Sequence, residues 1–181
     1  EKNRIKDLVV LLKKNPEVGR SSKAIKFLID EYLSSADIKS ACEKINFIDR
    51  ELQNFYLEKF TIYCLIHNDQ KDEAQLIFDL LKERGFKDKF YDEKITYLLG
   101  YSEKINTKIS DKNLLNFHLS HIANKDFKYE PTPKTNKYIW RYLSSVNLLS
   151  DSDSIDLEDE RKISLYEKAA AENSYNKKEL F

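Results

Sequence analysis

The sequence predicts an all-α fold in which helical hairpins stack in series, and three observations lead there. Apolar residues recur at three- and four-residue steps almost throughout, the period of a helix with one buried face. Only 3 Gly and 3 Pro occur in 181 residues, too few for the turns of a sandwich or barrel, and strand-type alternation is nowhere sustained. Finally, the chain echoes itself at a spacing of 33 residues.

The elements follow in order. Ile5, Leu8, Val9 and Leu12 make a first stripe, broken by Asn15-Pro16 and Gly19. Ser21 or Ser22 caps a second helix that carries Ala24, Ile25, Leu28, Ile29, Tyr32 and Leu33. Asp37 opens a third, with Ile38, Ala41, Cys42, Ile45 and Ile48 on one side. A fourth runs from about Leu52 through Phe55, Tyr56, Phe60, Tyr63 and Ile66, and Asn68-Asp69 ends it. Asp72 begins a fifth, with Ala74, Ile77, Phe78 and Leu81. Gly85 stops it after Lys82 and Arg84, cations suited to a helix C-terminus. Asn124 to Asn136, with Pro131 and Pro133, reads as a loop, because the residue before a proline is pushed toward extended geometry. Ser150 to Glu160 reads as an exposed acidic loop leading into a helix of Ile163, Leu165, Tyr166 and Ala169 to Ala171. The division expected is one domain over residues 1–181: hairpins over 1–124, a loop over 125–136 and C-terminal helices over 137–181.

The repetition is specific in its positions. Shifted by 33, Phe27 falls on Phe60, Ile29 on Ile62, Leu33 on Ile66, Ala41 on Ala74 and Ile45 on Phe78. A small Ala at the start of each second helix lets it approach its partner closely, and the larger positions fill the groove between hairpins. A second shift keeps Ile95 and Leu99 in register and then fails, with Thr107 and Asp111 where a small and a large apolar residue belong. Tyr32-Leu33-Ser34-Ser35 returns later as Tyr142-Leu143-Ser144-Ser145.

The span from Lys71-Asp72-Glu73-Ala74 through Phe78 and Leu81 to Glu83-Arg84-Gly85-Phe86 and Tyr91 resembles the second helix and turn of tetratricopeptide or pentatricopeptide units. Ser35 to Ile45 is a weaker copy. The resemblance covers residues 22 to about 100, and departs from tetratricopeptide units at Ile29 and Ile62, where a small residue is usual. It implies a right-handed α-solenoid of degenerate repeats. The chain also resembles long helical-repeat bacterial proteins of unassigned function, which implies a scaffold; its compartment, bacterial cytoplasm or periplasm, stays open.

Function classes narrow by exclusion. Thirty-one Lys and Arg balance 31 Asp and Glu, so the basic surplus of a nucleic-acid module is missing. The longest apolar run, Leu8 to Leu12, is far short of the ~20 residues that cross a bilayer. No GxSxG, HExxH or Gly-rich phosphate loop occurs, and no cofactor motif is present. The chain opens on Glu1, and Lys177 to Phe181 reads as a helix cut short, so it is read as a piece of a longer protein.

Candidate sites are therefore sites of recognition. In stacked hairpins the first helices line a concave surface, and helical spacing aims Lys26, Asp30, Tyr56, Lys59, Tyr63 and His67 at it. Tyr rings there give rigid contact while Lys and Asp pair with the charges of a protein or peptide partner. His118 and His121, at i and i+3, are weak metal candidates with no third ligand nearby in sequence. Trp140 with Tyr138 and Tyr142 is a ring-binding cluster or core packing. Cys42 and Cys64 are expected as two buried thiols; a disulfide between neighbouring helices is the alternative and requires an oxidising compartment. The leading reading is a non-enzymatic interaction scaffold. Its rivals are an RNA-binding helical repeat and an accessory all-α domain of a larger envelope enzyme.

Overall fold

The computed structural model describes residues 2–15, 21–49, 52–104, 106–132 and 134–149, together with 163, 164 and 167. The expected acidic loop and most of the helix after it lie outside the described residues, as do Pro16 and Gly19. Among the described residues the fold is all-α, with no strand. Its helices are α1 (Lys2–Lys14), α2 (Ser22–Ser34), α3 (Ile38–Glu43), α4 (Phe55–His67), α5 (Lys71–Glu83), α6 (Lys89–Leu99), α7 (Leu114–Ile122) and α8 (Lys137–Ser145). A 3-10 turn, Lys44–Phe47, continues α3.

Local chemistry sets these boundaries. Ser21, Asp37, Asn54, Asp88, Asn113 and Asn136 each accept a hydrogen bond from a backbone N–H of the first turn that follows. Each bond satisfies a donor that the helix itself leaves unpaired. At the other end, α5 and α6 stop on Gly85 and Gly100, whose φ of 85° and 91° lies in the left-handed region that glycine adopts freely. Ala36, Asp69 and Asn147 take the same conformation without that freedom, at φ of 56°, 61° and 55°.

The 33-residue register is visible in the structure. Shifting α2 by 33 reproduces both ends of α4, Ser21 falls on Asn54, and left-handed Ala36 falls on left-handed Asp69. The backbone bonds of that turn recur as well, Asp37 N to Tyr32 O and then Gln70 N to Leu65 O. Ala41 and Ala74 are both wholly buried, and so are Ile29 and Ile62. The third copy slips by one residue at its cap, Asp88, and among the described residues no second helix follows it before α7. Thr107 and Asp111, where the repeat fails in sequence, lie in irregular chain between α6 and α7.

Neighbour-on-neighbour packing runs α2 on α3, α2 and α3 on α4, α4 on α5, and α4 on α6. The chain then turns back. α7 packs on α6 and α2, and α8 packs on α7 and α2, so α2 is covered by helices from both ends of the chain. A purely serial stack would keep α8 away from α2. The physical reason for the return lies in α7, whose first seven residues, Leu114 to Ser120, are all buried and need partners on more than one side. One core results, with Phe60, Phe78, Tyr91, Phe117 and Tyr142 among its largest fully buried side chains.

The two cysteines correct the expectation of free thiols. Cys42 and Cys64 form a disulfide with Cα atoms 5.4 Å apart, within the ordinary range for the bond. It joins the second helix of one hairpin, α3, to the first helix of the next, α4. A spacing of 22 residues in sequence gives no hint of this, because only the packing of α3 on α4 brings the pair together.

Candidate functional site

A cluster of buried and half-buried ionisable side chains lies where residues of α4, α7 and α8 meet. His118 of α7 is 3% exposed and both its ring nitrogens are engaged by phenols. Its Nε2 lies 2.7 Å from the hydroxyl of Tyr63 on α4, and its Nδ1 lies 2.8 Å from that of Tyr142 on α8. The Tyr142 hydroxyl is also 2.7 Å from Nδ1 of His121. The rings meet edge to face, with centroids 4.9 Å apart for Tyr63 and His118 and 5.5 Å for His118 and Tyr142. Burial pushes His118 down to about 3, with small contributions from His121 and His67, so its imidazole is neutral at ordinary pH. Burial also lowers His121 and raises Tyr63 and Tyr142. The i, i+3 spacing of His118 and His121 does place both on one side of α7. What they share there is the Tyr142 hydroxyl. Among the described residues no three His, Cys, Asp or Glu side chains are grouped to hold a metal ion.

A second polar network belongs to α2. Asp30 and Glu31 are 4% and 6% exposed, and being adjacent they leave the helix in different directions. Asp30 takes an ion pair from Lys26 and a hydrogen bond from the Tyr56 hydroxyl of α4. Burial raises Asp30 despite the lowering influence of Lys26. Glu31 accepts from the Tyr138 hydroxyl at 2.9 Å and from the Arg141 guanidinium at 2.7 Å, which ties α8 to α2. Arg141 also reaches the Ser34 hydroxyl at 3.4 Å.

The six residues expected to face a groove are distributed as follows. Lys26, Asp30 and Tyr56 join α2 to α4, with the Lys26 ammonium 4.3 Å from the centre of the Tyr56 ring. Lys59 is buried, 3.2 Å from Asp88, and its backbone carbonyl accepts the Tyr91 hydroxyl at 2.8 Å. Tyr63 is buried against His118. His67 is exposed at the end of α4, its ring centroid 6.1 Å from that of Tyr63. The polar ends of Asp30, Lys59 and Tyr63 are thus spent on neighbouring elements, Tyr63 on His118 of α7. Trp140, at 5% exposure, and Tyr142, at 1%, are packed in the interior.

Sequence reasoning did not find Glu31 and Arg141 as partners, nor Tyr142 as the bridge between two histidines. No local signal marks them, since these contacts span 110 and 24 or fewer residues of chain. A concavity of about 580 Å³ is lined by Lys82, Asp92, Glu93, Thr96, Ser102, Lys104 and Asn106, none of them among the sequence candidates. The backbone carbonyl of Asn106, one of these residues, accepts from the Lys94 ammonium, and burial lowers Lys94.

On the outside, Leu76 and Leu80 of α5 stand one turn apart, 61% and 48% exposed. Asp72, Glu73, Asp79 and Glu83, all exposed, share the surface of that helix. No described helix is long and apolar enough to cross a membrane. No known family model matches the chain, and neither the curated proteins nor the solved structures include a significant likeness to it.

Proposed function

We propose that this chain is a non-enzymatic scaffold for protein–protein interaction, built on two degenerate tetratricopeptide-like hairpins, α2–α3 and α4–α5, stacked in a right-handed sense. The common 33-residue spacing of their caps and left-handed turns supports the hairpin part of this reading. The observation that carries the functional part is the outer face of α5. Leu76 and Leu80 are the most exposed pair of large apolar side chains on one described helix, and four acids border them. That combination suits a partner segment with an apolar anchor and flanking Lys or Arg, since burying the leucines supplies affinity while the charges fix orientation. This surface is distinct from the groove expected from sequence, where Asp30, Lys59 and Tyr63 bond to Tyr56, Asp88 and His118.

The test is affinity capture from an extract of the source organism with the wild-type chain and with a Leu76→Glu/Leu80→Glu double variant. A protein retained by the wild type and lost by the variant is expected, with unfolding free energy changed by less than about 0.5 kcal/mol, as for surface substitutions in general. Equal retention by both would remove α5 as the docking face.

A further inference from the structure

We propose that Tyr63, His118, Tyr142 and His121 form a one-proton relay in which the protonation of His121 dictates which nitrogen of the buried His118 carries hydrogen. Tyr142 has one hydroxyl hydrogen and two imidazole neighbours, at 2.8 and 2.7 Å, so it donates to one and accepts from the other. His118, neutral, likewise has one N–H and two phenol neighbours. Only two arrangements fill all three contacts and also use the hydroxyl hydrogen of Tyr142, which is 1% exposed.

In the first, Tyr63 donates to Nε2 of His118, Nδ1–H of His118 donates to Tyr142, and Tyr142 donates to Nδ1 of His121. In the second every bond is reversed: Nδ1–H of His121 donates to Tyr142, Tyr142 to Nδ1 of His118, and Nε2–H of His118 to Tyr63. The first uses the Tyr63 hydrogen. The second leaves it without an acceptor, because His118 is the sole hydrogen-bond partner of that buried hydroxyl among the described residues. An unsatisfied buried donor is costly, so the first arrangement holds while His121 is neutral.

Protonated His121 carries hydrogen on both nitrogens and can no longer accept from Tyr142. Tyr142 then either accepts from both rings, stranding its own hydrogen at 1% exposure, or adopts the second arrangement, whose stranded hydrogen is on Tyr63 beside the exposed His67. The second is the less costly. The change balances with one proton taken up: the Tyr63 hydrogen passes to Nε2 of His118, the hydrogen on Nδ1 passes to Tyr142, that of Tyr142 passes to Nδ1 of His121, and the incoming proton restores the Tyr63 hydroxyl. His118 stays neutral throughout. The two ends of the relay are the partly exposed His121 and the neighbourhood of the exposed His67, beside Tyr63. Among the described residues, the titratable groups facing the two histidines are Tyr63 and His67 from α4 and Tyr142 from α8. α2 and α6 also pack on α7 but contribute none that acts on either ring. Phe127 is the other ring against His121, with centroids 5.2 Å apart.

Nitrogen-15 spectra of the histidine rings, recorded on the full chain from pH 7.5 downward, decide the matter. The expected result is hydrogen on Nδ1 of His118 at pH 7.5, moving to Nε2 with the same midpoint as the titration of His121. In Tyr142→Phe and in His121→Gln the nitrogen carrying hydrogen on His118 no longer changes with pH. His121→Gln replaces a partly exposed side chain, so the comparison survives if Tyr142→Phe does not fold. A His118 ring that keeps one tautomer while His121 titrates in the wild type, or that still switches in His121→Gln, overturns the proposal.

Discussion

Replacing His118 by glutamine should change not only the stability of the protein but the way that stability depends on pH. The imidazole is lowered from its ordinary 6.5 to about 3 by burial between α4 and α8. Below pH 6.5 the unfolded chain therefore binds a proton at this residue that the folded chain refuses. Stability due to neutral His118 is complete above 6.5, falls by about 1.4 kcal/mol for each pH unit below it, and is gone near pH 3. Carboxylates titrate in the lower part of that range, and Asp30 in particular, raised by burial, acts with the opposite sign. Between pH 6.5 and 5, His121, also lowered by burial, acts with the same sign in both proteins, so the difference between them reports His118, a loss of about 2 kcal/mol. Urea unfolding followed by circular dichroism, at half-unit steps, gives the wild-type and His118→Gln free energies by linear extrapolation. The wild type should be the more stable at pH 7, and its advantage should shrink by about 2 kcal/mol by pH 5. An advantage that stays constant across the window would mean that His118 titrates normally in the fold, and the account of a desolvated, doubly bonded imidazole would be refuted.

Two further outcomes test how the hairpins and the returning helices are held. Removing the disulfide, as Cys42→Ala/Cys64→Ala, frees a loop of 22 residues in the unfolded chain and should lower stability by about 3 kcal/mol on the chain-entropy estimate. A drop below about 0.5 kcal/mol in urea unfolding would show that α3 and α4 need no covalent tie. Glu31→Ala takes the carboxylate away from the Tyr138 hydroxyl and from Arg141, whose side chain is only 15% exposed. Breaking a buried pair from one side costs about 3 to 5 kcal/mol, and the loss should appear as a lower urea midpoint at unchanged slope. A variant within about 0.5 kcal/mol of wild type would show that α8 is held on α2 by apolar packing alone.

The sequence by itself determined the helices. Ser21, Asp37, Asn54 and Asp88 stop or start elements through hydrogen bonds within a few residues, and apolar spacing fixes which face of each helix is buried. The 33-residue echo placed Ala41 and Ala74 in equivalent, wholly buried positions, and its failure at Thr107 and Asp111 marked where a helix is missing. A buried face, however, does not say what buries it. Apolar side chains are interchangeable in that respect, because burial is rewarded without direction. That Cys42 meets Cys64, that Tyr63 meets His118 of α7, and that Glu31 meets Arg141 of α8 were decided by how the helices pack, over separations of 22 to 110 residues. The same packing turned His118 from one of two histidines spaced i and i+3 into an imidazole held between two phenols, since only the assembled core could strip it of water.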